Sequence, residues 1–326
     1  MLETKGNYIL SCSTSIIDEN KIFHSGAGRI SRLKMNTMSL FESNDSSGDI
    51  SIMDMYEGKE IVKTVKKVSL EELANLIIRG GWPANINVAK DKYGLMPKYY
   101  INSMLEKDIY ESKNVDIIKM QKLLKSLARN ESTVVSNNKL IKDISDNDDL
   151  NIDKRTVSDY IEILEKLNLL SNQLSYSSNY RSPEGVGKNV KRHFADPSLA
   201  AALLNMNSSK LIDDLKTFGF LFEALVERDL KIYMDYLGGN LYHFRDNVNG
   251  LEVDSILEFE NGEYAAVEIK LEFNQYKEAC ESLLKFQNNV TKKPKFMCVI
   301  CGYNENIVKD KETGIYIIPI TALKSE

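Results

Sequence analysis

Residues 251–271 constrain the fold more than any other stretch, because they read as two strands whose pairing register follows from side-chain alternation. Leu251-Glu252-Val253-Asp254-Ser255-Ile256-Leu257-Glu258-Phe259 is followed by Glu260-Asn261-Gly262, then by Glu263-Tyr264-Ala265-Ala266-Val267-Glu268-Ile269-Lys270. A two-residue Asn-Gly turn sets Asp254 opposite Ile269. A three-residue loop, a type I turn closed by a bulge at Gly262, sets Asp254 opposite Glu268. Only the second register sorts the side chains by polarity. It predicts an apolar face of Leu251, Val253, Leu257 and Phe259 with Ala265, Val267, Ile269 and Leu271. The opposite face then gathers Glu252, Asp254, Glu268 and Lys270.

That charged face allows chemistry. Two carboxylates on adjacent strands, Asp254 and Glu268, can hold a hard divalent cation such as magnesium through their oxygens. The ion polarises a phosphoryl oxygen and lowers the pKa of bound water, and Lys270 can orient that water or stabilise charge. The competing reading is a solvated sheet face with a cross-strand ion pair worth roughly 0.2–1 kcal/mol. Spacing alone does not separate the two.

Around the hairpin the pattern predicts a helix over 217–237, strands at 241–244, 296–301 and 315–318, and a helix over 276–286. That order is α/β. Upstream, Ser69 followed by Glu71 and Glu72 caps a helix carrying Leu70, Leu73, Leu76 and Ile77, which Gly80-Gly81-Trp82-Pro83 stops. A second helix runs through Tyr99 and Leu105 to Asp108. Residues 115–180 read as three helices and a turn-rich hairpin. The third helix follows an Asp153 N-cap and lines up Val157, Tyr160, Ile161, Leu164 and Leu167 on one face. A length of 326 residues fits two or three domains, with an ordinary 43% apolar and 27% charged composition. No apolar run approaches the roughly 20 residues of a membrane span. Four cysteines make no disulfide framework, so a reducing cytoplasm is expected. The net charge of −5 argues against a uniformly basic nucleic-acid coat but leaves room for a local basic site.

Asp254 with Glu268-Ile269-Lys270 resembles the PD-(D/E)xK nuclease motif, and Glu223 resembles the acidic residue often found on that fold's first core helix. The wider chain is similar to the prokaryotic AAA-type ATPases whose C-terminal half is catalogued as domain of unknown function 4143. The similarity runs in order through Ile9-Leu10-Ser11-Cys12-Ser13, Gly26-Ala27-Gly28-Arg29, Met38-Ser39-Leu40-Phe41-Glu42, Arg79-Gly80-Gly81-Trp82-Pro83, Phe194-Ala195-Asp196-Pro197-Ser198-Leu199 and Glu252-Val253-Asp254. It covers residue 8 to the end. The resemblance implies a multi-domain α/β chain. Residues 1–64 would be a remnant of an AAA ATPase core, 65–114 a helical lid, 115–190 a winged helix-turn-helix, and 191–326 a PD-(D/E)xK nuclease-like mixed sheet.

On that reading Asp254 and Glu268 bind magnesium, Glu223 is an auxiliary acid, Lys270 serves the water, and Arg29 reaches a nucleotide phosphate. The sequence carries neither the phosphate-binding loop nor the Walker B acid of the family. Gly185-Val186-Gly187-Lys188-Asn189 lacks the spaced first glycine and the hydroxyl after lysine. The chain therefore reads as a C-terminal portion. ATP is expected to matter only alongside the missing loop, and no ATPase activity is expected from this chain alone.

Lys154, Arg155, Thr156 and Ser158 open the third helix of the winged-helix-like segment, where such folds contact bases and phosphates. Nucleic acid is the expected partner, a protein partner the alternative, and a membrane none. Cys298-Val299-Ile300-Cys301 spaces two thiols three apart in a strand-like run, which points them to opposite faces and away from a shared metal.

Overall fold

The computed structural model describes residues 33–109, 115–145, 152–177, 190–246 and 249–326. The chain enters through a short strand, β1 (Ile50–Ser51), and a one-turn helix, α1 (Ile52–Tyr56), followed by β2 (Lys63–Thr64). In α2 (Leu70–Arg79) the Ser69 hydroxyl accepts from Glu72 N while the Glu72 carboxylate accepts from Ser69 N. This reciprocal cap satisfies two otherwise orphaned donors. Helix α2 buries Leu73, Ala74, Ile77 and Ile78 and stops at Gly80, whose φ of 66° suits glycine alone. Helix α3 (Leu95–Ser103) continues into a π-helical turn over Met104–Ile109.

Next come α4 (Ile117–Arg129), β3 (Thr133–Val134), α5 (Asn137–Ser145), α6 (Lys154–Lys166), β4 (Leu174–Ser175) and β5 (Lys191–Arg192). Asp116 and Asp153 cap α4 and α6 through their carboxylates, as the Asp153 pattern predicts. Strand β5 pairs antiparallel with β3, and isolated bridges join Gln173 to Lys191 and Leu170 to Phe194.

The remainder runs α7 (Pro197–Leu203), α8 (Ser208–Asp213), α9 (Leu215–Tyr236), β6 (Asn240–Asp246), β7 (Leu251–Glu258), β8 (Tyr264–Glu272), α10 (Tyr276–Asn289), β9 (Met297–Tyr303), β10 (Asn306–Lys309), β11 (Tyr316–Pro319) and β12 (Leu323–Lys324). Eight strands form one mixed sheet in the order β2-β10-β11-β9-β8-β7-β6-β4. The pairs β6/β7 and β7/β8 are antiparallel, while β8/β9 and β9/β11 are parallel. The parallel step from β8 to β9 crosses over through α10, as a parallel connection requires.

Helices cover both faces of the sheet. On one, Phe218, Leu221, Phe222 and Leu225 of α9 share a core with Ala265, Val267, Ile269 and Leu271 of β8, continuous with the helices upstream. On the other, Ala279, Leu283 and Phe286 of α10 pack with Val253, Ile256, Tyr264 and Ala266. Cys298 falls in the first core and Cys301 in the second, the opposite-face placement expected of their spacing.

The hairpin turns as alternation predicts. Phe259 N donates to Glu263 O at 2.9 Å, Gly262 N donates to Phe259 O at 2.8 Å, and Gly262 takes φ 73°. The ladder Ser255↔Val267, Ile256↔Ala266, Leu257↔Ala265 has the predicted register and ends at Ser255, one residue before Asp254. One expectation fails. Val253 does not share a face with Leu257 but lies in the α10 core with Ile256, three residues away. The cause is a β-bulge: Tyr242 pairs with Ile256, yet Phe244, two residues on, pairs with Val253. Strand β7 thus carries one extra residue across from β6, which breaks period two where Asp254 and Ser255 sit.

Several segments quoted for the family resemblance meet at one buried carboxylate. Asp196 accepts from Gly81 N at 2.9 Å, Ser198 N at 3.0 Å, Ser198 Oγ at 2.6 Å, Thr37 Oγ1 at 3.0 Å and Arg228 Nη1 at 3.1 Å. Arg228 also donates twice to Asp229, which accepts from Leu40 N at 2.9 Å. Trp82 closes the edge, donating Nε1–H to Ser198 Oγ at 2.8 Å and lying against Tyr100.

Candidate functional site

The bulge in β7 creates the site. Where β7 leaves the regular ladder, Asp254 Oδ2 takes the place of a strand partner and accepts from Ile269 N at 2.8 Å. That pins the Asp254 carboxylate beside the ExK segment of β8. Lys270 Nζ donates to Glu268 Oε2 at 2.8 Å and lies 3.9 Å from Asp254 Oδ2. Asp254, Glu268 and Lys270 are thereby brought together. Glu252 is not: beyond the bulge it faces Arg245 at 3.9 Å, on the exposed end of the hairpin.

Glu223 reaches the same neighbourhood from α9, through a residue the sequence pattern does not flag. Lys191 of β5 is 3% exposed and ion-pairs with both Glu223 and Glu227, the latter at 2.9 Å. Its Nζ also donates to the Asp254 carbonyl at 3.3 Å. Glu227 Oε1 further accepts from Ser255 Oγ at 3.2 Å. Two positions on, His193 Nδ1 lies 3.2 Å from Glu131 Oε1, and Nε2 lies 2.5 Å from Glu227 Oε2.

The electrostatics follow from crowding acids in a buried place. Burial, then the neighbouring Asp254, pushes the Glu268 carboxyl up to about 8 against the pull of Lys270. Burial likewise raises Glu223 to about 8 despite Lys191, with Asp254 and Glu227 adding to the rise. Burial opposes charge on Lys191 and on Lys270, yet the surrounding carboxylates outweigh it and keep both ammonium groups protonated. Burial also opposes the His193 imidazolium, but Glu227 and Glu131 prevail and lift it to about 9. Glu227 goes the other way: its burial penalty is overcome by His193 and Lys191, which hold it near 2.

Divalent metal fits this donor set in one way. Among the described residues no three His, Cys, Asp or Glu side chains converge on a point. The described residues therefore offer the Asp254 and Glu268 carboxylates, whose Oδ2 and Oε2 accept from Ile269 N and Lys270 Nζ and whose Oδ1 and Oε1 take no hydrogen bond among the described residues. Magnesium commonly takes one or two carboxylates and fills its shell with water and phosphate oxygens. Glu268, held above its ordinary pKa by burial and by Asp254, is also a group whose charge a cation would stabilise.

The other expected residues lie elsewhere. Lys154, Arg155 and Ser158 are exposed at the start of α6 and Thr156 is half-buried. Arg155 lies 3.9 Å from Asp159, and Ser158 Oγ accepts from Asn137 at 3.1 Å. Arg29, Ile9–Ser13 and Gly185–Asn189 lie outside the described residues. Sequence reasoning missed Lys191, His193, Glu131 and Glu227. Glu227 was within reach of it, one helical turn after Glu223 on α9. The Lys191-Arg192-His193 alternation carries no comparable signal.

Comparison with family models divides the chain. Residues 218–323 match a domain of unknown function (DUF4143), and residues 70–210 match a second domain of unknown function (DUF8612). The first match covers α9 and most of the sheet, including Glu223, Asp254, Glu268 and Lys270. It bears the same description as the domain of unknown function that the sequence resembles, and it is confined to this region. The three-helix segment and β5, with Lys191 and His193, fall within the second. No curated protein matches the chain. Among the described residues no helix is long and apolar enough to cross a membrane.

Proposed function

We propose that the C-terminal part of this chain is a PD-(D/E)xK nuclease-like domain, of the kind joined to AAA-type ATPases, that acts on DNA through a divalent metal. The observation that carries the reading is the meeting of Asp254, Glu268 and Lys270 at the β7 bulge, with Glu223 close by on α9. Asp254 and Glu268 would hold magnesium, which supplies Lewis-acid polarisation of a phosphodiester and a more acidic bound water. The protein's own residues do the rest. Ile269 N fixes the Asp254 carboxylate, and Lys270, kept cationic by its acidic neighbours, offers N–H donors to a water or to charge developing on phosphate oxygens.

The remaining assignments belong to the same proposal. Residues 115–190 act as a winged helix that presents Lys154, Arg155, Thr156 and Ser158 to nucleic acid. Residues 65–114 act as a helical lid, and 1–64, with Arg29, as part of an ATPase core whose ATP chemistry needs a phosphate-binding loop, a motif that residues 1–326 do not carry. The setting is the cytoplasm. The test is magnesium- or manganese-dependent cleavage of plasmid, linear and single-stranded DNA, with Asp254→Ala and Lys270→Ala as controls. Cleavage lost in both variants supports the reading.

One observation favours a second reading, a module that binds nucleic acid or protein without cutting it. Glu223 is already engaged by Lys191, so the auxiliary acid is not free. Binding to DNA with a steep negative salt slope, and no cleavage in either metal, would select it.

A further inference from the structure

Lys191 is a buried ammonium in a setting built for a cation. Its three N–H donors meet three oxygens: a carboxylate of Glu223, a carboxylate of Glu227 at 2.9 Å, and the Asp254 carbonyl at 3.3 Å. Two carboxylates and a carbonyl are also a ligand set that a hard divalent ion accepts. The lysine backbone is pinned on both sides. It pairs with β3, and it exchanges two 3.0 Å hydrogen bonds with Gln173. The side chain is therefore a fixture of the fold. Glu227 is committed further still, with Oε2 against His193 Nε2.

We propose, building on the metal-dependent reading above, that Lys191 is a resident cation filling a second ion position, so that the native site takes one divalent ion and not two. The ion position belongs to Asp254 and Glu268; Glu223 and Glu227 are spent on Lys191. This accounts for the failure of any third acid to converge on the Asp254–Glu268 pair among the described residues. It also makes Lys191 a residue that determines metal number, acting through Glu223 and Glu227 without touching substrate. Removing its charge while keeping the backbone leaves three oxygens around an emptied position.

The experiment counts Mn²⁺ bound to the full chain by isothermal titration and by loss of the free-ion paramagnetic resonance signal, without DNA. The native chain is expected to bind one ion and Lys191→Ala two. Two ions on the native chain overturn the role of Lys191 but leave the metal-dependent reading standing. One ion on both proteins overturns it in the same way. No ion on the native chain overturns both. If Lys191→Ala lacks a cooperative melting transition, two variants of the native background decide. Glu223→Gln should change Mn²⁺ affinity by about tenfold or less, the effect of one charge that is not a ligand and is already compensated by Lys191. Asp254→Asn should lower it by more than about 100-fold, beyond what loss of a supporting partner costs. Equal losses in the two would make Glu223 a ligand and overturn the proposal.

Discussion

Asp196→Ala should be among the most damaging single substitutions in this protein, although Asp196 touches none of the proposed metal ligands. The wild-type carboxylate is fully buried and accepts five hydrogen bonds, from Gly81, Ser198 (twice), Thr37 and Arg228. Alanine leaves the Arg228 guanidinium with Asp229 as its one remaining carboxylate among the described residues and strips the backbone donors of Gly81 and Ser198 of this partner. Breaking a buried ion pair from one side costs about 3–5 kcal/mol. Each orphaned buried donor costs about 1–3 kcal/mol, and these terms overlap because they share one group. A net loss of about 4 kcal/mol is a large fraction of the roughly 5–15 kcal/mol that folded domains possess. At about 2–4 °C per kcal/mol for a domain of this size, the melting midpoint should fall by roughly 8–16 °C. Asp196→Asn keeps an acceptor for part of the network and should fall by less. Differential scanning calorimetry of the three proteins checks this. A shift for Asp196→Ala below about 2 °C would refute the reasoning, because it would mean that the shared segments do not depend on this carboxylate.

Stability should also fall as pH rises from 6 to 9. Glu223 and Glu268 are raised to about 8 from an ordinary 4.5, and His193 to about 9 from 6.5. Each binds its proton more tightly folded than unfolded, so its contribution is full below the unfolded value and lost as pH climbs through the folded one. Glu227, held near 2, works oppositely but only below its ordinary 4.5. A melting temperature flat or rising from pH 6 to 9 would contradict the assignment. Lys154→Ala and Arg155→Ala should each lower the salt slope of DNA binding by about 1 if α6 contacts phosphate, measured by fluorescence anisotropy across a potassium chloride series. Cys298 and Cys301 are buried, with burial pushing the Cys301 thiol up to about 12 and Cys298 also well up. Mass-mapped alkylation should therefore find both unmodified until denaturant is added.

The comparison of sequence with structure turns on where information is local. The three-residue loop at Glu260-Asn261-Gly262 was legible because turn chemistry and alternation agree over a dozen adjacent residues. The helix predicted over 217–237 is found at Leu215–Tyr236, and the one over 276–286 extends to Asn289. The bulge at Asp254 and Ser255 was not legible. Alternation assumes an unbroken period of two, and an extra residue on β7 shows only against its partner β6. Strand β10 and its pairing with β2 escaped notice because Asn306–Lys309 and Lys63–Thr64 are short and remote from each other. The same remoteness hid the site's electrostatics. Lys191, His193 and Glu131 come from segments 30 to over 100 residues from Asp254 and Glu223, and only folding puts opposite charges within ion-pair distance.

The central claim is that Asp254, Glu268 and Lys270 form a metal-dependent phosphodiester centre. Its most direct measurement is conversion of supercoiled plasmid to nicked or linear product in magnesium and in manganese, by the native chain, Asp254→Asn and Lys270→Met. Asp254→Asn keeps a side-chain oxygen for Ile269 N, so a loss of activity reports the charge and not the hairpin. The account predicts cleavage that requires the metal and falls by at least about 100-fold in each variant, the scale of removing one charged group from such a centre. Cleavage that persists in both variants, or that needs no divalent ion, would contradict it.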